Sequence, residues 1–286
     1  MKNQILASLI LSIGITVPVA VAKNKVVKIG ERPESVTKGF GGKYYVTVMN
    51  SAEEEGDAVI KMLDEGKVSV FAKGLNEPKG IAFTGDYLVT ADQTRVMKID
   101  SKGNVSILAE KKSFKREVSF LNDVAVSHDR KSVFVTDMGA ISKMFDPDKE
   151  RSLWPLESKQ AKELPAIGCV YQITLDGKIT DAVSSGQKDV PGPNGVGRSG
   201  KEGLLLGDFF TGNIVRKTAK GKLRVIAKGL RGADAVEPDG KGGIYVSSWT
   251  QGKVWKLTEN GKKKELILDG LKSAADLFVD RKAKKL

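Results

Sequence analysis

Six polar residues stand at equivalent places in six similar stretches of the sequence, and their side chains could bind a cation or a small molecule. They are Glu34, Lys79, Asn122, Asn194, Asp234 and Asp276. The sequence around these positions repeats, whereas the polar residue itself varies among carboxylate, amide and amine types. This combination favours a rigid repeated frame that brings different chemical groups together at one centre. The alternative is that the Asn and Asp residues only form turns before strands.

Oxygen donors dominate this set. Glu34, Asn194 and Asp234 offer two carboxylates and one amide oxygen, and Asn122 offers a second amide. Such donors suit Ca²⁺, with Mg²⁺ or Mn²⁺ as alternatives, and two carboxylates balance the charge of a divalent cation. Zn²⁺ is a further alternative that the composition disfavours, because the chain has 1 His and 1 Cys. Lys79 and Asp276 are expected to pair with each other or to contact a substrate.

The single histidine limits the other kinds of catalysis. His128 lies in "VSHDRKSVF", which is predicted to be a tight turn on the side away from the six polar residues. A Ser-His-Asp triad or a histidine general base is therefore excluded.

Short strands are the elements that must position these residues. Apolar and polar residues alternate between Gly-rich turns, which divides each repeat into four strands. The repeats recur about every 40–45 residues, and this period predicts an all-β fold, a six-bladed β-propeller with four-stranded blades. The first strand of each blade lines the central channel of a propeller. The six polar residues would therefore form a ring near one mouth of the channel, and we call them the ring.

Two segments depart from the regular repeat. The third repeat is longer by about 30 residues, and we assign the excess to an insertion at residues 139–167, predicted to be a loop or short helix over one face. The sixth repeat has only a first strand and a lysine-rich turn. We therefore expect a last blade that is abbreviated, or that is closed by an N-terminal strand at Asn24–Gly30.

The N-terminus and the composition indicate where the protein works. Residues 1–22 have a short positive start, an apolar stretch and the sequence Ala20-Val21-Ala22, which predicts a cleaved signal peptide, with an uncleaved anchor as the alternative. Residues 23–286 are then one propeller domain, exported to the periplasm or secreted, with no transmembrane segment. The formal net charge of +12 comes from scattered lysines without interleaved aromatic residues, so no nucleic-acid partner is expected.

Four short motifs in this order resemble the regucalcin/gluconolactonase (senescence marker protein) family. They are "PES" at Pro33–Ser35, "LND" at Leu121–Asp123, "PNG" at Pro193–Gly195 and "ADAVEPDGKGGIYVSSW" at Ala233–Trp249. The resemblance covers nearly all of residues 23–286. It implies a six-bladed propeller that binds a divalent metal at one mouth of its channel and hydrolyses lactones. One departure is Ala235, where the family usually has glycine.

The resemblance also implies roles for individual residues. Glu34, Asn194 and Asp234 match the metal ligands of the family, and Asp234 also matches its catalytic base. Asn122 matches an asparagine that contacts the substrate or a second ion. The sequence therefore predicts a metal-dependent lactonase whose substrate is a small lactone. The alternative is a non-catalytic exported propeller that binds a protein partner through one face or through the insertion.

Overall fold

The computed structural model describes residues 26–51 and 54–286, which form five antiparallel sheets of four strands each. In chain order the strands are β1 (Arg32–Lys38), β2 (Tyr44–Met49), β3 (Ala58–Asp64), β4 (Lys67–Leu75), β5 (Pro78–Phe83), β6 (Leu88–Asp92), β7 (Arg95–Ile99), β8 (Val105–Ala109), β9 (Leu121–Val126), β10 (Ser132–Asp137), β11 (Cys169–Thr174), β12 (Ile179–Val183), β13 (Pro193–Ser199), β14 (Gly203–Asp208), β15 (Ile214–Lys217), β16 (Leu223–Ala227), β17 (Ala233–Pro238), β18 (Gly243–Ser248), β19 (Lys253–Thr258) and β20 (Lys264–Leu268). Each sheet pairs its strands in sequence order.

The five sheets are the blades of a propeller. Their first strands, β1, β5, β9, β13 and β17, contact one another in chain order and surround the centre. Apolar clusters fill the space between consecutive sheets, as where Tyr45 and Ile60 of the first sheet meet Leu88 and Ile99 of the second. The alternation of apolar and polar residues in each strand produces this packing, because successive side chains point to opposite faces of a sheet. The prediction of an all-β propeller with four-stranded blades is confirmed.

The prediction of six blades is wrong, because the described residues form five. After β20, residues 269–286 contain turns and one isolated bridge between Asp280 and Lys285, and they lack the partner strands that a further sheet needs. The proposed closing strand Asn24–Gly30 is also not seen in the part of it that the structure describes. Its described part, residues 26–30, has no strand and lies against the first sheet, where Lys61 Nζ donates to Ile29 O at 2.7 Å.

The C-terminal residues instead bridge the fifth sheet and the first by polar contacts. Lys38 Nζ of β1 lies 2.8 Å from Asp280 Oδ2, and Tyr44 OH donates to the same oxygen at 2.8 Å. On the other side, Arg281 Nη2 donates to Pro238 O of β17 at 2.7 Å. These bonds hold the first and last sheets together without a sixth sheet between them.

The insertion separates β10 from β11 in the third sheet. It contains a 3₁₀ helix at Ile141–Lys143, a bridge between Phe145 and Leu153, and a short helix α1 at Lys159–Lys162 that Ser158 caps.

The thiol of Cys169 is buried at the start of β11. Within residues 26–51 and 54–286, every helix is too short or too polar to span a bilayer. The predicted signal peptide at residues 1–22 lies outside the described residues.

Candidate functional site

Five ring residues lie in β-bulges of the first strands. In every first strand the pairing with the second strand shifts register at the ring position, so that two residues of the first strand face one residue of the second. These two-residue bulges are Glu34–Ser35, Lys79–Gly80, Asn122–Asp123, Asn194–Gly195 and Asp234–Ala235. Bulges bend a strand and change the direction of its side chains, and they are frequent beside active sites. The sixth member, Asp276, lies beside β1, where its N–H donates to Glu34 O at 3.1 Å.

Hydroxyl groups of the second strands hold the bulges in place. Thr47 Oγ1 accepts from Ser35 N at 3.0 Å and donates to Lys79 O of the next blade at 2.8 Å. Thr136 Oγ1 likewise accepts from Asp123 N at 2.8 Å and donates to Asn194 O at 2.7 Å. Each threonine thus fixes the bulge of its own blade and the ring residue of the next one. The ring is therefore rigid before any ligand binds.

Two of the three predicted metal ligands, Glu34 and Asp234, lie close enough for their charges to interact, and Asn194 occupies the equivalent bulge of the fourth blade. Asn194 and Asp234 are only 2% and 4% exposed, and Glu34 is partly exposed. Burial raises the pKa of Asp234 well above its usual range, and the negative charges of Glu34 and Asp276 raise it further. Burial also raises the pKa of Glu34, and the positive charge of Lys79 opposes this effect. The charges of Glu34, Asp234 and Asp276 therefore act on one another.

Asn194 carries the most informative atom of the site. Its Oδ1 is buried and forms no hydrogen bond within the described residues. A buried carbonyl oxygen without a partner costs about 1–3 kcal/mol, so such atoms are rare in native structures. The unpartnered oxygen and the raised pKa values of the carboxylates have one cause. The centre of the ring has too few positive charges or hydrogen-bond donors.

Lys79 is the only ring residue with a positive charge. Its Nζ lies 3.3 Å from Glu77 Oε1 and 2.9 Å from the sulfur of Met49, and it stands 5.2 Å from the ring centroid of Phe120. Its side chain is 9% exposed, so the ammonium lies within the protein near the other ring residues and not in bulk solvent. The expected pairing of Lys79 with Asp276 is not seen; Glu77, two residues earlier, is the partner.

Asn122 and Asp276 have different surroundings. Asn122 Nδ2 donates to the sulfur of Met138 at 3.2 Å, a weak acceptor that a substrate oxygen can replace. The carboxylate of Asp276 accepts hydrogen bonds from the hydroxyl of Ser35 and, at 2.7 Å, from Leu277 N. Asp276 is therefore anchored to the first blade, and Asn122 is the freer of the two.

The sequence reasoning overlooked Asp123, the neighbour of Asn122. Its Oδ1 accepts from Val124 N at 2.6 Å, and its Oδ2 accepts from Val196 N of the fourth blade at 2.7 Å. Burial raises the pKa of Asp123 to about 7 despite these bonds. Ser35 occupies the same place in the first blade and accepts from Ile81 N at 3.1 Å. The signal was present in the motifs "PES" and "LND", which place a second polar residue directly after the ring position.

The insertion packs beside the ring, on the same side of the propeller. Met138 and Met144 pack with Phe209 and Phe210 in one apolar cluster, which Trp249 of the fifth blade also joins. The guanidinium of Arg151 stacks over Trp249 at 3.9 Å from the ring centroid. Phe209, Phe210 and Trp249 thus do not form an open ligand cage. They pack against the insertion.

The donors of the ring fit a hard divalent cation. Among the described residues, no three His, Cys, Asp or Glu side chains group as metal ligands, so amide oxygens would have to complete any metal site there. Two carboxylates with one unsatisfied amide oxygen form a different donor set, and oxygen donors of this kind suit Ca²⁺. Glu34, Asn194 and Asp234 are the residues that would hold it.

The molecule is thus a β-propeller with carboxylate and amide side chains at equivalent bulges of its first strands, and comparisons with known proteins agree at the level of the fold. No protein-family profile and no curated protein matches the sequence. Regucalcin from Agrobacterium tumefaciens strain C58, described as a calcium-binding protein, is similar with a TM-score of 0.59 and 18% identity, over 87% of this chain and 77% of that one. A chain of the nidogen/laminin complex is similar with a TM-score of 0.61 and 15% identity, over 81% of this chain and 78% of that one. At such identities, the likeness shows a shared propeller fold.

Proposed function

We propose that this protein is a metal-dependent hydrolase of small lactones, with its reaction centre at the ring. The observation that supports this proposal is the buried, unpartnered Oδ1 of Asn194 beside two carboxylates of raised pKa, Glu34 and Asp234. A Ca²⁺ ion held by these three side chains would give the amide oxygen a partner and would favour the ionised form of both carboxylates. The calcium-binding description of the similar regucalcin supports the choice of ion.

The chemistry divides between the cation and the side chains. A bound divalent cation would polarise the lactone carbonyl. Asp234 would hold the attacking water and accept its proton while the water oxygen bonds to the carbonyl carbon of the lactone. The C–O bond within the lactone then breaks. The departing alkoxide takes this proton from Asp234, which restores the carboxylate, and the product is a hydroxy acid. Asn122 and Lys79 would contact substrate oxygens, since Asn122 is bonded only to a thioether within the described residues.

A binding function is the second candidate, and exposed apolar residues of the insertion favour it. The insertion packs its apolar cluster beside the ring, and Leu156 and Ile167 of the insertion remain 43% and 49% exposed. The similar propeller in the nidogen/laminin complex takes part in a protein complex. A non-catalytic propeller would then use the insertion as its contact surface. In both cases, we expect the chain to be exported, on the basis of residues 1–22.

Lactone hydrolysis separates the two candidates. Purified protein is incubated with sugar and aliphatic lactones, with Ca²⁺ or with a chelator, and acid release is followed by a pH indicator. The hydrolase proposal predicts turnover that the chelator removes and that Asp234→Asn reduces by about 100-fold or more. The control Asp86→Asn, at an exposed turn, should retain full activity. Absence of turnover on every lactone with Ca²⁺ present would refute the hydrolase and leave the binding propeller.

A further inference from the structure

Arginine side chains from three different parts of the chain gather at the mouth opposite the ring. They belong to the turn between β9 and β10 (Arg130), to the end of β13 (Arg198) and to the C-terminal segment (Arg281). Arg198 follows the ring residue Asn194 by four positions along a strand, which places it about 13 Å further down the channel. This mouth is therefore separate from the proposed reaction centre.

The positions of these guanidinium groups are fixed by contacts with the surrounding turns. Arg198 Nη1 lies 2.9 Å from His128 Nδ1, and Arg281 Nη2 donates to Pro238 O at 2.7 Å. The guanidinium of Arg281 also lies against Gly240, since an added Cβ there would be 3.2 Å from its Nε. Arg130 reaches toward the second blade, where its Nη1 is 3.6 Å from the place of a Cβ on Gly85. The group thus spans the turns of four blades.

The three positive charges lack direct anionic partners. Within the described residues, none of the three guanidinium groups lies within 4.0 Å of a carboxylate oxygen. Burial lowers the pKa of the partly buried Arg198, and the positive charges of Arg281 and Arg130 lower it further, while the carboxyl of Glu237 opposes this effect. Burial raises the pKa of Glu237 to about 8, although Arg281 and Arg198 lower it. Three guanidinium groups thus lie near one carboxyl, which leaves a net positive charge in the cluster.

His128 adds a hydrogen-bond donor to the same place. An arginine side chain can only donate, so His128 Nδ1 must accept the bond from Arg198. In this arrangement the ring N–H lies on Nε2, which can donate to a ligand. Arginine guanidinium groups and an imidazole N–H are the donors that phosphate oxygens prefer in proteins.

We propose that this mouth is an anion site that binds a phosphate group, either free or as the monoester of a small molecule. Arg130, Arg198 and Arg281 supply the charge, and His128 supplies a further donor. A dianionic phosphate would remove the repulsion among the arginines. The site is independent of the ring and of any metal there.

Isothermal titration of the full chain with inorganic phosphate, at low salt and with a chelator present, tests the site. We expect binding that Arg198→Gln weakens by about tenfold or more. The matched control is Arg224→Gln, an exposed arginine on the outer strand β16 of the same sheet, which should bind as the wild type does. Arg281→Gln, at an exposed position, provides a second variant if Arg198→Gln folds poorly.

A parallel titration with phenyl phosphate distinguishes the two sources of the group. Binding of inorganic phosphate alone would identify a site for the free ion, and equal or tighter binding of phenyl phosphate would identify a site for phosphate esters. Either result supports the proposal. Lack of binding by both probes at about 10 mM, or equal weakening by Arg198→Gln and Arg224→Gln, would overturn it.

Discussion

Thr136 connects two blades through one hydroxyl, and replacing it with valine should destabilise the fold strongly. The side chain is fully buried, accepts from Asp123 N at 2.8 Å and donates to Asn194 O at 2.7 Å. Valine has nearly the same shape but can form neither bond. Each lost bond costs about 1 kcal/mol, and leaving the buried N–H and C=O unpaired adds to this. We expect Thr136→Val to lower the free energy of unfolding by about 2–4 kcal/mol.

Urea unfolding followed by circular dichroism measures this change. The midpoints of the wild type and the variant are compared when the free energy of unfolding depends on urea concentration with the same slope in both. Thr136→Ser keeps the hydroxyl and should recover most of the loss. The control is Thr180→Val on the outer strand of the same sheet, where the exposed hydroxyl lies 3.5 Å from Gln172 O; we expect a change below about 0.5 kcal/mol. A Thr136→Val variant as stable as Thr180→Val would refute the role given to this hydroxyl.

Two further predictions concern the channel. Burial raises the pKa of Glu237 from 4.5 to about 8. The folded state therefore binds this proton more tightly than the unfolded state does, and the stability that the bound proton contributes is lost as pH rises from 4.5 to 8. Glu237→Gln should flatten the fall of melting temperature over that interval, whereas the exposed Glu265→Gln should not, and identical profiles would contradict the assignment. A Cβ on Gly195 would lie 2.1 Å from Asp234 O of the adjacent blade, so Gly195→Ala should cost about 2–3 kcal/mol in urea unfolding. Gly200→Ala, with a φ of +70° and open space, should cost about 1 kcal/mol, and equal losses would show that blade contact is unimportant at Gly195.

The sequence was sufficient to predict the blade and the position of the ring within it. Strand alternation and Gly-containing turns are local signals, and the positive φ of Gly103 and Gly177 is found where such turns were expected. Asn194 and Asp234 occupy the same position in their repeats, so the sequence also predicts that they lie at the same height along the channel. These features follow from pairing between neighbours in sequence, which local pattern specifies well.

Features that depend on distant residues were not predictable in this way. The number of blades depends on whether residues 269–286 pair with further strands. They do not, and Asp280 bonds to Lys38 and Tyr44 of the first blade. The bulges were also missed, because the hydroxyls of Thr47 and Thr136 that fix them lie on other strands. The arginine cluster joins positions more than half the chain apart, so no local pattern contains it.

Calcium binding tests the central claim about the ring most directly. Calcium is titrated calorimetrically into chelator-treated wild type, Asn194→Ala and Asn260→Ala, the last of these at an exposed turn. Since Asn194 Oδ1 has no hydrogen-bond partner among the described residues, its removal should leave the melting temperature nearly unchanged. We predict that the wild type and Asn260→Ala bind Ca²⁺ alike and that Asn194→Ala binds it about tenfold or more weakly. A wild type without calcium heat at millimolar concentration, or an Asn194→Ala variant with unchanged affinity, would contradict the account.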